Sequence, residues 1–186
     1  MCLTHFLKND LGGSSYHKEE RNRGITPFGR DILLRMQELG MIVDLAHASR
    51  ATFDDVLKMT TGPVMVSHTG ISGVHPLWRN IDDDQVQAVA HRNGVIGIIY
   101  EGSFLGSRSL DRVIDHMEHV ITLAGENFVA LGSDWDGCPF LPHGIKSAAD
   151  LPILTQRMFD RGWPEKTVAN VLGGNFVRML SQINPH

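Results

Sequence analysis

The chain has 186 residues, 42% of them apolar and 20% charged, enough to close a hydrophobic core as one domain spanning 1–186. Its net charge of −4 comes from interspersed acids and bases. That pattern excludes a nucleic-acid tract or an anionic-membrane patch and leaves small-molecule chemistry as the class to look for.

No stretch reaches the roughly 18 apolar residues of a membrane span, and no basic segment leads into an apolar one at the N-terminus. Neither a span nor a signal peptide is expected. Cys2 and Cys138 stand far apart and outside any CxxC spacing, so both are expected to be free thiols. That usage fits a reducing compartment and a cytoplasmic location.

In chain order, Met1-Cys2-Leu3-Thr4 reads as the tail of a strand, and the polar, glycine-rich segment from Asn9 to Gly24 as an excursion. Thr26-Pro27 is an N-cap followed by proline, opening a helix to about Leu39 with Phe28, Ile32, Leu33 and Met36 on its inner face. Three buried strands follow, at Met41 to Leu45, Pro63 to Ser67 and Val95 to Tyr100, each entered from a glycine helix cap at Gly40, Gly62 or Gly94. Helices from Ser49 to Met59 and from Asp82 to Arg92 separate them. Next come a helix from Ser109 to Ala124, a strand from Phe128 to Gly132, and a helix from Leu151 to Arg161. A last helix begins near Pro164, breaks at Gly173-Gly174 and resumes from Asn175 to Ser181.

Apolar runs alternating with amphipathic stretches define an α/β fold with parallel strands. Five strand-helix units are visible, whereas a closed (β/α)8 barrel needs eight units and about 250 residues. The expected architecture is therefore an open sheet or a partial (β/α)8 TIM barrel lacking about three units.

In parallel α/β folds, reactive side chains gather at the C-terminal ends of strands. Ten histidines make this placement testable. His5, His47 and His68 each follow a strand, and Asp134 and Asp136 follow the fourth interior one. Any one of them has an ordinary structural role open to it, such as capping a helix. Together they form one rim. Two imidazoles on adjacent strand ends suit zinc, with a carboxylate placed to handle protons. His116-Met117-Glu118-His119 lacks the HExxH spacing and is expected to form a solvated face, opposite Val113, Met117 and Val120. His17, His91, His143 and His186 are expected at the surface. Glu101 ends its strand without an assignable role.

Several strings carry a more specific signal. Leu3-Thr4-His5, Gly24-Ile25-Thr26-Pro27-Phe28-Gly29, Asp44-Leu45-Ala46-His47, Val66-Ser67-His68, Trp78-Arg79-Asn80 and Gly132-Ser133-Asp134-Trp135-Asp136-Gly137 resemble, in order and approximate spacing, the successive motifs of the renal-type (membrane) dipeptidase family. The resemblance runs from Leu3 through Asn175-Phe176. It implies the C-terminal portion of a (β/α)8 barrel with a binuclear zinc site, hydrolysing dipeptides through water activated by zinc. By position it makes His47 and His68 ligands of the second zinc, and Asp134 the acid that handles the proton, with Asp136 as the fallback. It makes His5 the group that contacts the scissile bond and its tetrahedral intermediate, and Arg79 the clamp on the substrate's free carboxylate. Asn80 is expected to cap a helix or anchor a loop.

Full-length relatives add a His-x-Asp pair and a bridging Glu from earlier strands, and this chain begins after both. At most a partial zinc site is therefore expected here. Two alternatives stay open: a non-catalytic barrel fragment, or a different amidohydrolase acting on cyclic amides or esters. Homo-oligomerisation is left open by the sequence.

Overall fold

A computed structural model describes residues 1–183 of the chain, so His186 lies outside the described residues. After the N-terminal excursion, α1 (Pro27–Glu38) leads into β1 (Val43–Asp44), α2 (Arg50–Met59), β2 (Val64–Thr69), α3 (Asp83–His91) and β3 (Val95–Ile98). A single turn, α4 (Gly102–Leu105), precedes α5 (Leu110–Ala124) and β4 (Val129–Leu131). The chain continues through α6 (Leu151–Asp160), α7 (Glu165–Ala169), a π-helical turn at Asn170–Gly174 and α8 (Asn175–Leu180). The four strands are parallel and lie in chain order, β1-β2-β3-β4. This is the α/β architecture with parallel strands that the alternating pattern predicts.

The starts of α1, α2 and α3 follow from local chemistry. Thr26 Oγ1 accepts from Gly29 N at 3.0 Å and Pro27 sits where no intrahelical donor is needed. Ser49 caps α2, and Asp82 with Gln85 forms a reciprocal capping box at α3. All four residues of β3 are buried, as in a strand covered by helices on both faces. The core joins Leu33 and Met36 of α1, Phe53 and Val56 of α2, and Val113, Met117 and Val120 of α5 to the inner strand residues.

Several expectations change. The strand expected at Met1-Cys2-Leu3-Thr4 is reduced to one bridge, Cys2 to Asp44, because it has a single short neighbour, β1, to pair with. Tyr100 leaves the sheet two residues after β3 ends, since the chain turns there into α4. Phe28 is 56% exposed and not on the inner face of α1. The buried stripe is Gly29, Leu33 and Met36, and a side chain at 29 would place its Cβ 1.9 Å from the carbonyl oxygen of Leu11. The excursion thus packs backbone against helix at that point. Of the three glycines expected to end helices, Gly40 takes the left-handed conformation (φ 64°), whereas Asn93 (φ 53°) takes it before β3. Gly173 breaks the last helix, as expected.

His116 overturns the solvated reading of its helix face. It is fully buried, with Nδ1 accepting from Ile71 N at 2.9 Å and Nε2 facing the Leu105 carbonyl at 3.2 Å. The ring therefore ties the loop after β2 to α4 and α5. Glu118 meets Arg161 and Trp163, and His119 meets Asp83, so the rest of that face is a helix–helix seam. His91 and His143 are exposed and His17 is half-buried. Cys2 and Cys138 are free thiols.

Burial lowers the His116 pKa to about 4, from the 6.5 of a free imidazole. Between those values the unfolded chain binds the proton that the folded chain refuses, so this group's contribution to stability falls as pH drops. Denaturant unfolding should lose about 2 kcal/mol through this residue between pH 7 and pH 5. A His116→Gln variant, whatever its stability at pH 7, should lack that part of the pH dependence. Equal slopes in the two proteins would refute it.

Candidate active site

The C-terminal ends of β1 and β2 are held together by one carboxylate. Asp44 is buried, and its Oδ1 accepts from Ala46 N at 3.0 Å and from Ser67 N at 2.9 Å. An acid inside an apolar strand is the sequence signal for this clamp, although the sequence alone assigns it no task. After Leu45 the chain turns at His47, which adopts a left-handed backbone (φ 63°) rarely seen outside glycine and asparagine. That turn sends the chain into α2 while leaving the imidazole over the strand ends.

The result is a close pair. His47 Nε2 lies 2.8 Å from His68 Nε2, and His68 Nδ1 lies 2.9 Å from Ser67 Oγ. His68 belongs to β2 itself, one residue before the strand ends, and does not follow it as expected. The His5 ring, exposed at the rim, packs 4.4 Å from the His47 ring. Burial lowers the His47 pKa to about 2 and also lowers that of His68, with the nearby Arg79 charge adding to both. Both imidazoles are therefore neutral at physiological pH, the form that ligates metals.

Arg79 is 3% exposed and donates to the His68 carbonyl at 2.9 Å, while its Nε finds no partner among the described residues. Its guanidinium lies 5.8 Å from the Phe104 ring centroid. Burial lowers its pKa to about 10, which still leaves it charged at neutrality. A desolvated cation with a spare donor is costly unless an anion completes it. Asn80 beside it is a loop anchor, as expected, donating to the His75 and Phe104 carbonyls at 2.8 Å each. The cap of α3 falls to Asp82 instead.

Asp134 is exposed and also left-handed (φ 53°). Its charge reaches His68 and Arg79, whose pKa values it raises. Gly137 makes room for this carboxylate, since a Cβ there would lie 2.5 Å from Asp134 Oδ1. Asp136 is exposed as well. Glu101, unassigned from sequence, accepts from Ser103 N at 3.0 Å and Phe140 N at 3.1 Å, tying the end of β3 to the loop beyond Asp134. The structure thus gathers His5, His47, His68, Arg79 and Asp134 at one mouth of the sheet.

The donors at this mouth fit half of a metal site. Two neutral nitrogens face each other, and His47 Nδ1 is buried without a partner. Two imidazoles on one tetrahedral zinc stand about 3.3 Å apart, so a small separation of the pair admits the ion. Among the described residues, however, no three His, Cys, Asp or Glu side chains group as a metal site.

The parallel sheet in chain order, with helices between its strands, is the architecture of a partial (β/α)8 barrel, and the imidazoles, the guanidinium and the carboxylate lie at its strand ends. Residues 1–185 match the family described as membrane dipeptidase (Peptidase family M19), and the chain belongs to that family. Membership implies a metal cofactor. Dipeptidase aclJ of Aspergillus oryzae is 34% identical over 186 residues, covering 97% of this chain and 44% of that protein. A metallo peptidase from Rhodobacter sphaeroides, solved with a phosphinate mimic of the dipeptide L-Ala-D-Ala, superposes with a TM-score of 0.82 at 30% identity. That match covers 87% of this chain and 48% of the other. An amidohydrolase from Pseudomonas aeruginosa gives a TM-score of 0.88 at 26% identity, over 98% of this chain and 63% of that one. The chain spans about half the length of the first two. No helix among the described residues is long and apolar enough to cross a membrane.

Replacing Asp44 by Ala strips one buried and one partly buried amide of their acceptor, at a cost of about 1–3 kcal/mol for each fully buried group. Denaturant unfolding of Asp44→Ala should show a loss of at least 2 kcal/mol, with Asp44→Asn, which keeps an acceptor oxygen, losing less. A loss below about 0.5 kcal/mol, the range of ordinary surface changes, would contradict the clamp.

Proposed function

We propose that this chain supplies part of the active site of a zinc-dependent dipeptidase, the remaining metal ligands coming from residues outside its sequence. The observation that carries the reading is the pair of neutral imidazoles, 2.8 Å apart at Nε2, beside a buried guanidinium with a free donor. His47 and His68 would hold the ion. Imidazole donors suit zinc among the common cations. When bound, the metal supplies Lewis acidity that polarises the scissile carbonyl and makes water a stronger acid.

The chain's own residues account for the rest. Arg79 receives the dipeptide's free carboxylate on the donors left unspent inside the protein, which orients the peptide bond over the strand ends. His5, on the rim against His47, faces the oxygen that gains charge as the carbonyl becomes tetrahedral. Asp134 takes a proton from the attacking water and returns it to the departing amine nitrogen as the C–N bond breaks. The left-handed backbone at Asp134 is a stored cost of about 1–3 kcal/mol, kept where a side chain must be aimed. Dipeptides are also the substrates that the names of the Aspergillus and Rhodobacter proteins point to.

Calorimetric titration with zinc tests the donor count. Two imidazoles should bind weakly, and the heat should vanish in a His47→Ala, His68→Ala double variant. Tight stoichiometric binding by this chain alone, or binding unchanged in the double variant, would overturn the assignment. In metal-loaded, active protein, Asp134→Asn should cut kcat by about 10²–10⁴ with little change in KM. Arg79→Ala should raise KM for free dipeptides far more than for their carboxyl amides. Equal effects on both would sink the carboxylate role.

A further inference from the structure

We infer that a cavity beside His47 and Arg79 is a side-chain subsite that selects an acidic residue on the carboxyl side of the scissile bond, with Arg21 as its specificity-determining cation. The inference rests on the dipeptidase reading above.

The cavity has a volume of about 260 Å³ and lies between the excursion and the loop that follows β2. That is below the roughly 300–1,000 Å³ of pockets that take whole drug-sized ligands, so it suits one side chain of a substrate held next to it. His47 and Arg79 line it, which joins it to the strand-end mouth. Trp78, next to Arg79 in the chain, lines it as well.

The charges around the cavity decide what it accepts. Arg50 and Asp82, which also line it, pair with each other at 2.5 Å, and Arg50 pairs again with Asp54 at 2.9 Å. Arg50 is thus fully answered, its one positive charge shared between two carboxylates, and it has none left over for a ligand. Arg21 and Arg79 are different, because neither has an acidic partner within ion-pair distance among the described residues. Arg79 is committed to the main-chain carboxylate under the proposed reaction. Arg21 is then the surplus cation.

The position of Arg21 is fixed. Its Nε donates to the Ser15 carbonyl at 2.9 Å and one terminal nitrogen approaches the Tyr16 carbonyl at 3.4 Å. Its guanidinium stacks 5.7 Å from the Trp78 ring centroid, and Tyr16 packs edge-on against Trp78 at 5.3 Å. A guanidinium held on three sides keeps its remaining donors aimed, and little side-chain entropy is lost when an anion arrives. An apolar or amide side chain in the cavity would leave that charge without its counterion.

The test is calorimetric titration of the metal-free full chain, which has no ion to support turnover, with Ala-Glu, Ala-Gln and Ala-Ala. Ala-Glu should bind about tenfold more tightly than the equal-sized Ala-Gln, the size of one charge-assisted hydrogen bond. Arg21→Met should bring that ratio close to one without changing Ala-Gln or Ala-Ala, and Arg21→Lys should restore part of it. A ratio unchanged in Arg21→Met, equal binding of Ala-Glu and Ala-Gln by the unmodified chain, or a flat titration for all three overturns the subsite. Arg79→Met reports separately. Loss of all three dipeptides supports the carboxylate clamp, whereas unchanged Ala-Ala binding removes the clamp and leaves the Arg21 result to stand or fall by itself.

Discussion

The site depends on one buried carboxylate that holds the ends of two parallel strands in register. Asp44 pairs across the sheet with Met65, and its side chain reaches forward to the amides of Ala46 and Ser67. Those amides lie one residue before His47 and one before His68. In a parallel sheet the strand ends arrive at the same edge without further instruction, but their relative height is free to slip by two residues while the same faces stay buried. A side-chain clamp at the last paired position removes that freedom. The 2.8 Å approach of the two imidazoles follows from it.

Around this clamp the protein keeps charge scarce except where a ligand would answer it. Burial strips the proton from His47 and His68, yet leaves it on Arg79, because a guanidinium tolerates a shift to about 10 without losing charge at neutrality. The mouth therefore sets one guanidinium and one carboxylate, Arg79 and Asp134, beside two neutral imidazoles. The costs are visible: an orphan Nε on Arg79, an orphan Nδ1 on His47, and left-handed backbone at His47 and Asp134. Folding alone rewards none of these. Their concentration at one edge of the sheet is the usual mark of a site whose partner repays them.

The surrounding elements act as buttresses. The excursion between Asn9 and Gly24 is tied to α2 by Thr52, which accepts from Gly13 N at 2.9 Å, and by Ser49, which donates to the Arg23 carbonyl at 2.7 Å. Ser15 N reaches the His47 carbonyl at 2.9 Å, so the segment that carries Arg21 also steadies the turn that carries a metal-type ligand. On the other side His116 and Glu101 anchor the loops after β2 and β4 to α5 and β3. Rigid loops on a parallel sheet are what a hydrolytic site needs if its groups are to meet a substrate already aligned.

The sequence by itself determined whatever depends on neighbours along the chain. The cap at Thr26, the alternation of strands and helices, and the placement of His47, His68 and Asp134 near strand ends are local, because capping hydrogen bonds and side-chain periodicity act over a few residues. The ordered motifs around those residues were enough to indicate the family. Only the tertiary structure decided the rest. It made His116 a buried strut, left Phe28 outside because Leu11 occupies the space over Gly29, gave Asp44 a clamping task, and brought Arg21 onto Trp78 from 57 positions away. Such contacts join residues separated by tens of positions, and their energy depends on burial and on which groups find partners, quantities that exist only once the sheet and its helices have closed around them.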